Sequence, residues 1–230
     1  MTSPDDSIGS APPRPWVRWL TLAGFSLFTL ALAALIHVHS MVLGIAATLP
    51  PTPDPAAVPV SVAVVDREHR LLRPFTTADG RWRLPVTHAE VDPRFLDMLI
   101  AYEDRSFYEH HGIAWSSMLR AAGQFTLAGG RVVSGGSTLT MQVARLLEGS
   151  ATRNLDGKLR QMVHADRLEA TLSKEQILDL YLTLAPYGGN IEGVRAASLA
   201  WFGKEPTRLT TAQAALLVAL PQSPEARRPD

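Results

Sequence analysis

A long, uncharged apolar run close to the N-terminus is the strongest constraint on what this chain can fold into. From Leu20 to Ile36 every residue is apolar, glycine or a small hydroxyl, and a weaker apolar run follows from Met41 to Leu49. At about 1.5 Å per helical residue the two runs together exceed the roughly 30 Å hydrocarbon core of a bilayer. They predict one transmembrane anchor over residues 16–48. Arg14 and Arg18 stand at its start, Trp16 and Trp19 suit the headgroup level, and no Lys or Arg follows until Arg67. That asymmetry predicts a cytoplasmic N-terminus and a periplasmic remainder. A cleaved signal peptide ending near Gly44, Ala46 and Ala47 is the competing reading, but the run is longer than the roughly 7–15 residues of such a peptide's apolar core. His37 and His39 have no acidic or cysteine companions, so they read as interfacial residues rather than metal ligands.

Composition changes on either side of this run. Residues 1–15 are rich in Pro, Ser, Asp and Gly without periodicity, and predict a disordered tail. Residues 49–59 hold five prolines and predict a stiff, extended spacer. Over residues 60–90, the runs Val60–Val65, Leu71–Phe75 and Arg81–Val86 are short, β-rich and broken by turn residues such as Asp79 and Gly80, which predicts a small β-rich linker. Residues 91–230 turn helical. Asp92 followed by Pro93 is an N-cap with proline at the first helical position, and Ser173 with Gln176 and Thr210 with Gln213 form capping boxes ahead of apolar runs. With 22 basic against 22 acidic residues, no global charge recruits nucleic acid. The absence of cysteine removes disulfides, thiolate metal sites and thiol nucleophiles together.

Three segments could carry chemistry. In the first, residues 103–112, an apolar helix ends in the acidic pair Glu103-Asp104 and runs into aromatics and histidines. A carboxylate at the end of a buried helix can serve as acid or base, although acidic pairs are more often solvated. In the second, residues 133–145, two glycines and several hydroxyls precede an apolar helix that carries Arg145. Such helix starts hold phosphates, or are plain glycine-capped turns; no Gly-Lys-Ser/Thr closes a P-loop here. In the third, residues 158–174, Lys158, Arg160, Arg167 and Lys174 surround Gln161, Asp166 and Glu169, either to grip a pyrophosphate or as a solvated face. Asp166 falls close to the apolar face of that helix.

In this order, the three segments resemble the signature blocks of the family 51 peptidoglycan glycosyltransferases, the polymerase half of class A penicillin-binding proteins. The block Glu-Asp-x-x-Phe-x-x-His-x-Gly is matched by Glu103, Asp104, Phe107, His110 and Gly112, and Gly-Gly-Ser-Thr-x-Thr-Gln-Gln by residues 135–142, with Met141 in place of the first Gln. Further blocks match at residues 174–182 and 193–204, and residues 79–86 with the Met141-Gln142 pair look most like the 1C branch. The resemblance implies a mainly α, lysozyme-like domain at the outer face of the bacterial inner membrane. It implies polymerisation of lipid II onto a growing glycan strand, with inversion at the donor anomeric carbon. Glu103 would be the base; Asp104, Phe107 and His110 would shape the acceptor side. Ser137, Thr138, Gln142, Arg145, Lys158 and Arg160 would meet the leaving diphosphate and Gln161 would belong to the substrate site, with a divalent cation (Mg or Mn) and other cell-wall synthesis proteins as possible companions.

The sequence departs from the family pattern in two places. Where a second glutamate is usual stands Gln161, which carries no charge to hold a metal, and Thr183 stands where Asn is common. Gln161 motivates an alternative expectation: a weakly active or inactive scaffold that binds lipid II. A lytic enzyme is a third reading, disfavoured because hydrolysis has no diphosphate to hold. No transpeptidase signature is present, and the domain's last helices are expected to be cut short at residue 230.

Overall fold

A computed structural model describes residues 15–68, 71–127, 129, 136–149, 155–227 and 229. The expected tail, with Arg14, and the first glycine of the second block, Gly135, lie outside the described residues. The chain divides into two compact units, Met1–Thr48 and Leu49–Asp230.

The described residues of the first unit form a single helix, α1 (Pro15–Thr48), within which Trp19–Thr48 is long and apolar enough to cross a membrane. Its leucines and phenylalanines are exposed on every side. No polar stripe interrupts them, the pattern of a helix whose solvent is lipid. Two of its hydroxyls bond back to the helix: Thr29 Oγ1 donates to Phe25 O at 2.8 Å, and Thr48 Oγ1 to Ile45 O at 2.9 Å.

The second unit is mostly helical. It contains α2 (Pro93–Glu103), α3 (Trp115–Leu127), α4 (Leu139–Glu148), α5 (Leu155–Glu169), α6 (Lys174–Leu184), α7 (Val194–Phe202) and α8 (Thr211–Ala219), with short 3-10 turns at Pro55–Ala57, His88–Glu90 and Leu220–Gln222. α6 is the pivot. Ile177, Leu178, Leu180, Tyr181 and Leu182 are all buried, so the helix is apolar nearly all round and packs against α4, α5 and α7. α2 lies against α8, and α4 against α5. The three caps read from sequence are present: Asp92 accepts from Arg94 N, Ser173 from Gln176 N and Thr210 from Gln213 N. Asp166 is exposed; the face of α5 turned to the core carries His164, Ala165 and Leu168 instead.

Strands occupy little of the chain. β1 (Val62–Val65) and β2 (Leu71–Phe75) form an antiparallel pair with an irregularity between Val64 and Val65. Of the expected strand over 81–86 only β3 (Trp82–Arg83) pairs, in parallel, with β4 (Ile191–Glu192). Leu84 and Val86 enter the core without pairing. Arg83 closes the parallel pair by donating from Nε to Glu192 Oε2 at 2.8 Å. Residues 60–90 therefore belong to the same compact unit as the helices that follow. Behind β4, Gly193 adopts φ 83°, and a Cβ there would stand 2.6 Å from Thr183 O, so only glycine fits.

Candidate functional site

α2 ends at Glu103, and Asp104 leaves the helix with φ −159° and ψ 79°. This exit sends two neighbouring carboxylates in different directions. Asp104 turns inward and is buried: its Oδ2 accepts from Leu139 N, the first N–H of α4, at 3.0 Å, and from His110 Nε2 at 2.9 Å. A carboxylate there satisfies an orphan helix donor and meets the positive end of the α4 dipole. Glu103 turns to a cleft of about 650 Å³, lined also by Ser117 and Arg120 of α3 and by Ser137 and Thr138 ahead of α4.

Both oxygens of Glu103 are held by amides. Gln142 Nε2 donates to Oε2 at 2.9 Å, and Gln222 Nε2 to Oε1 at 3.1 Å. The sequence reading set Gln142 among donors to a diphosphate; the structure places it on Glu103. Gln222 lay in no recognised block, and its only sequence signal is the proline before it, which tightens the turn after α8. Tyr181 and Tyr187 are buried nearby, and burial pushes both phenols above the ordinary tyrosine range. The charge of Glu103 adds to that shift for each, so neither phenol is a proton acceptor here.

The remaining residues singled out from sequence fall into three groups. Phe107 is fully buried, with Lys174 Nζ 4.7 Å from its ring centroid, and His110 is bound to Asp104. Neither lines the cleft itself. Thr138 is an N-cap: its hydroxyl donates to Gly112 O at 2.6 Å and accepts from Met141 N at 3.1 Å. Arg160 is paired with Glu148, which also accepts from His164 Nδ1 at 2.7 Å. Ser137 and Lys158 form the third group: Lys158 Nζ donates to Ser137 Oγ at the cleft wall. Burial, and then the nearby charge of Arg145, hold the Lys158 ammonium below the ordinary lysine range. Two cations held close in a partly buried place are stabilised when an anion arrives between them. Gln161 is half-buried on the same helix.

The described groups around the cleft do not by themselves complete a shell for a divalent metal. Among the described residues no three His, Asp or Glu side chains converge. Asp104, the carboxylate next to Glu103, is already engaged by Leu139 N and His110, and the position where a second family carboxylate is expected holds Gln161.

Comparison with known proteins agrees with the geometry. Residues 69–230 match the family model described as transglycosylase. The chain is 50% identical to penicillin-binding protein 1C of Escherichia coli K12 over 180 residues, 78% of this chain and 23% of that protein. It is 37% identical to penicillin-binding protein 1F of Bacillus subtilis 168 over 64% of this chain and 20% of that protein. Against penicillin-binding protein 1A of E. coli K12 it is 38% identical, over 64% of this chain and 17% of that protein. The chain thus spans less than a quarter of the length of each of these relatives. A mostly helical unit with this cleft, the ordered blocks around Glu103 and a family match over residues 69–230 together place the chain in the transglycosylase family of glycosyltransferases.

Proposed function

We propose that this chain is a peptidoglycan glycosyltransferase that polymerises lipid II at the outer face of the inner membrane, with Glu103 as catalytic base. One observation carries the reading. The cleft has on one wall the Glu103 carboxylate, held by two amides, and on another the Ser137 hydroxyl, bonded by Lys158, whose ammonium feels the nearby charge of Arg145. That is the polarity a glycosyl transfer from a diphosphate needs. Glu103 takes the proton from the acceptor sugar's 4-hydroxyl as that oxygen attacks the donor anomeric carbon. The bond from that carbon to the diphosphate breaks, the configuration inverts, and the leaving charge is met by Lys158, Arg145 and the Ser137 hydroxyl. The apolar α1 keeps the chain in the membrane that carries the lipid-linked donor, with its N-terminus on the cytoplasmic side.

The test is to supply the intact chain, in detergent or vesicles, with labelled lipid II and resolve the glycan products by length. Wild type yields polymer, and Glu103→Gln lowers the rate by roughly 10²- to 10⁴-fold, the range of a lost general base. Equal rates for the two proteins would sink the assignment. Release of soluble fragments from preformed glycan would point to lysis instead.

A further inference from the structure

We propose that Gln222 is a positioning residue for Glu103, held in its working orientation by Tyr102 and Arg227; the inference rests on Glu103 being the base. The amide of Gln222 sits at the lip of the cleft with one end on the Glu103 carboxylate, at 3.1 Å, and the other end receiving two donors. Tyr102 Oη donates to Gln222 Oε1 at 3.2 Å, and Arg227 Nη1 donates to the same oxygen at 3.3 Å. An arginine has no acceptor, so the atom facing it must be the amide oxygen, and the NH₂ group must face the carboxylate. The orientation of this amide is therefore set by chemistry on both sides.

The backbone beneath it is fixed as well. Gln222 closes a 3-10 turn whose first residue, Leu220, is fully buried, and Ser223 N bonds back to Leu220 O at 3.1 Å. Arg227 Nη1 also donates to Ala219 O at 2.6 Å, tying the guanidinium to the end of α8. Because α8 lies along α2, the turn after α8 meets the end of α2 where Glu103 projects. Gln142 holds the second carboxylate oxygen from α4. With one amide on each oxygen, the rotation of the carboxylate about its last torsion is stopped, so one oxygen edge is presented to the cleft. The network lies at the exposed rim, and a bound substrate would exclude water from it and strengthen each bond.

A positioning role predicts a defect in turnover rather than in substrate capture. Using the full chain with labelled lipid II, Gln222→Ala lowers kcat roughly tenfold, the scale of one hydrogen bond to a charged group, while KM stays within about twofold. Gln222→Glu, which turns a second carboxylate toward Glu103 in place of an amide donor, lowers kcat further than Gln222→Ala. Arg227→Met leaves residue 222 in place but removes one of its two orienting donors, and gives the same changes in smaller measure. Thermal melting of each variant separates these effects from loss of fold. A Gln222→Ala protein with wild-type kcat, alongside an inactive Glu103→Gln, overturns the role of Gln222 and leaves the base intact. Wild-type rates for Glu103→Gln, or no turnover by the wild-type chain, overturn the functional reading and this inference with it.

Discussion

Glu103 and Asp104 are adjacent carboxylates with opposite tasks, and the difference lies in what each oxygen touches. Asp104 joins three parts of the chain: its own position after α2, His110 in the following loop, and Leu139 at the start of α4. Asp104→Ala leaves two buried donors unpaired, at about 1–3 kcal/mol each, so a loss of about 2–6 kcal/mol is expected in urea unfolding, with a fall in the proposed activity alongside. Asp104→Asn keeps one acceptor oxygen and recovers part of both. An Asp104→Ala protein as stable as wild type would show that the α4 N-terminus does not depend on this carboxylate. At the same scale, the block that holds Gln142 is legible in the sequence, but its partner is not: the 2.9 Å contact joins it to the Glu103 carboxylate rather than to the expected phosphate side.

Among elements, the turn between β4 and α7 is the least tolerant. Gly193 combines φ 83° with a would-be Cβ contact of 2.6 Å to Thr183 O. Gly193→Ala is expected to destabilise the unit by about 2 kcal/mol or more, from the strained backbone conformation and the collision together, read as a lowered midpoint in urea. A midpoint unchanged by that substitution would mean that the α6–α7 approach can relax. Helix starts were legible from sequence because a cap is a local event: Asp92, Ser173 and Thr210 each satisfy a donor within three residues. The β3–β4 pairing was not legible. Arg83 meets Glu192 across 109 residues, and two-residue strands leave no alternation to read. α3 escaped for a related reason: it carries no recognised cap ahead of Trp115, yet it supplies Ser117 and Arg120 to the cleft. Asp166 illustrates the limit of angular reasoning on a single helix. A position beside the apolar face can still be exposed, because the neighbouring elements decide where that face ends.

For the whole molecule, stability is expected to respond to acid through a buried histidine. His164 is fully buried in the core-facing side of α5, with Nδ1 on Glu148 and Nε2 without a partner. Burial lowers its pKa, an effect only partly opposed by the bond to Glu148 and reinforced by Arg160 and Arg167. Its folded-state value therefore lies below the unfolded one. The unfolded chain takes up the proton first as pH falls past about 6.5, so stability declines from there downward and is complete above it. Urea midpoints at pH 8 and pH 5.5 should differ in that direction, and His164→Gln should shrink the difference. An equal pH response in that variant would move the effect to other groups.

The architecture also sets a schedule for biogenesis. Glu103 receives one of its amides from a residue 39 positions later and the other from a residue 119 positions later. A nascent chain that has already delivered α1 to the membrane, and even one that has formed α2 through α6, still lacks the second hand on its carboxylate. On the proposed function, full competence is thus expected only after the turn following α8 has left the ribosome, with insertion of α1 into the bilayer coming first.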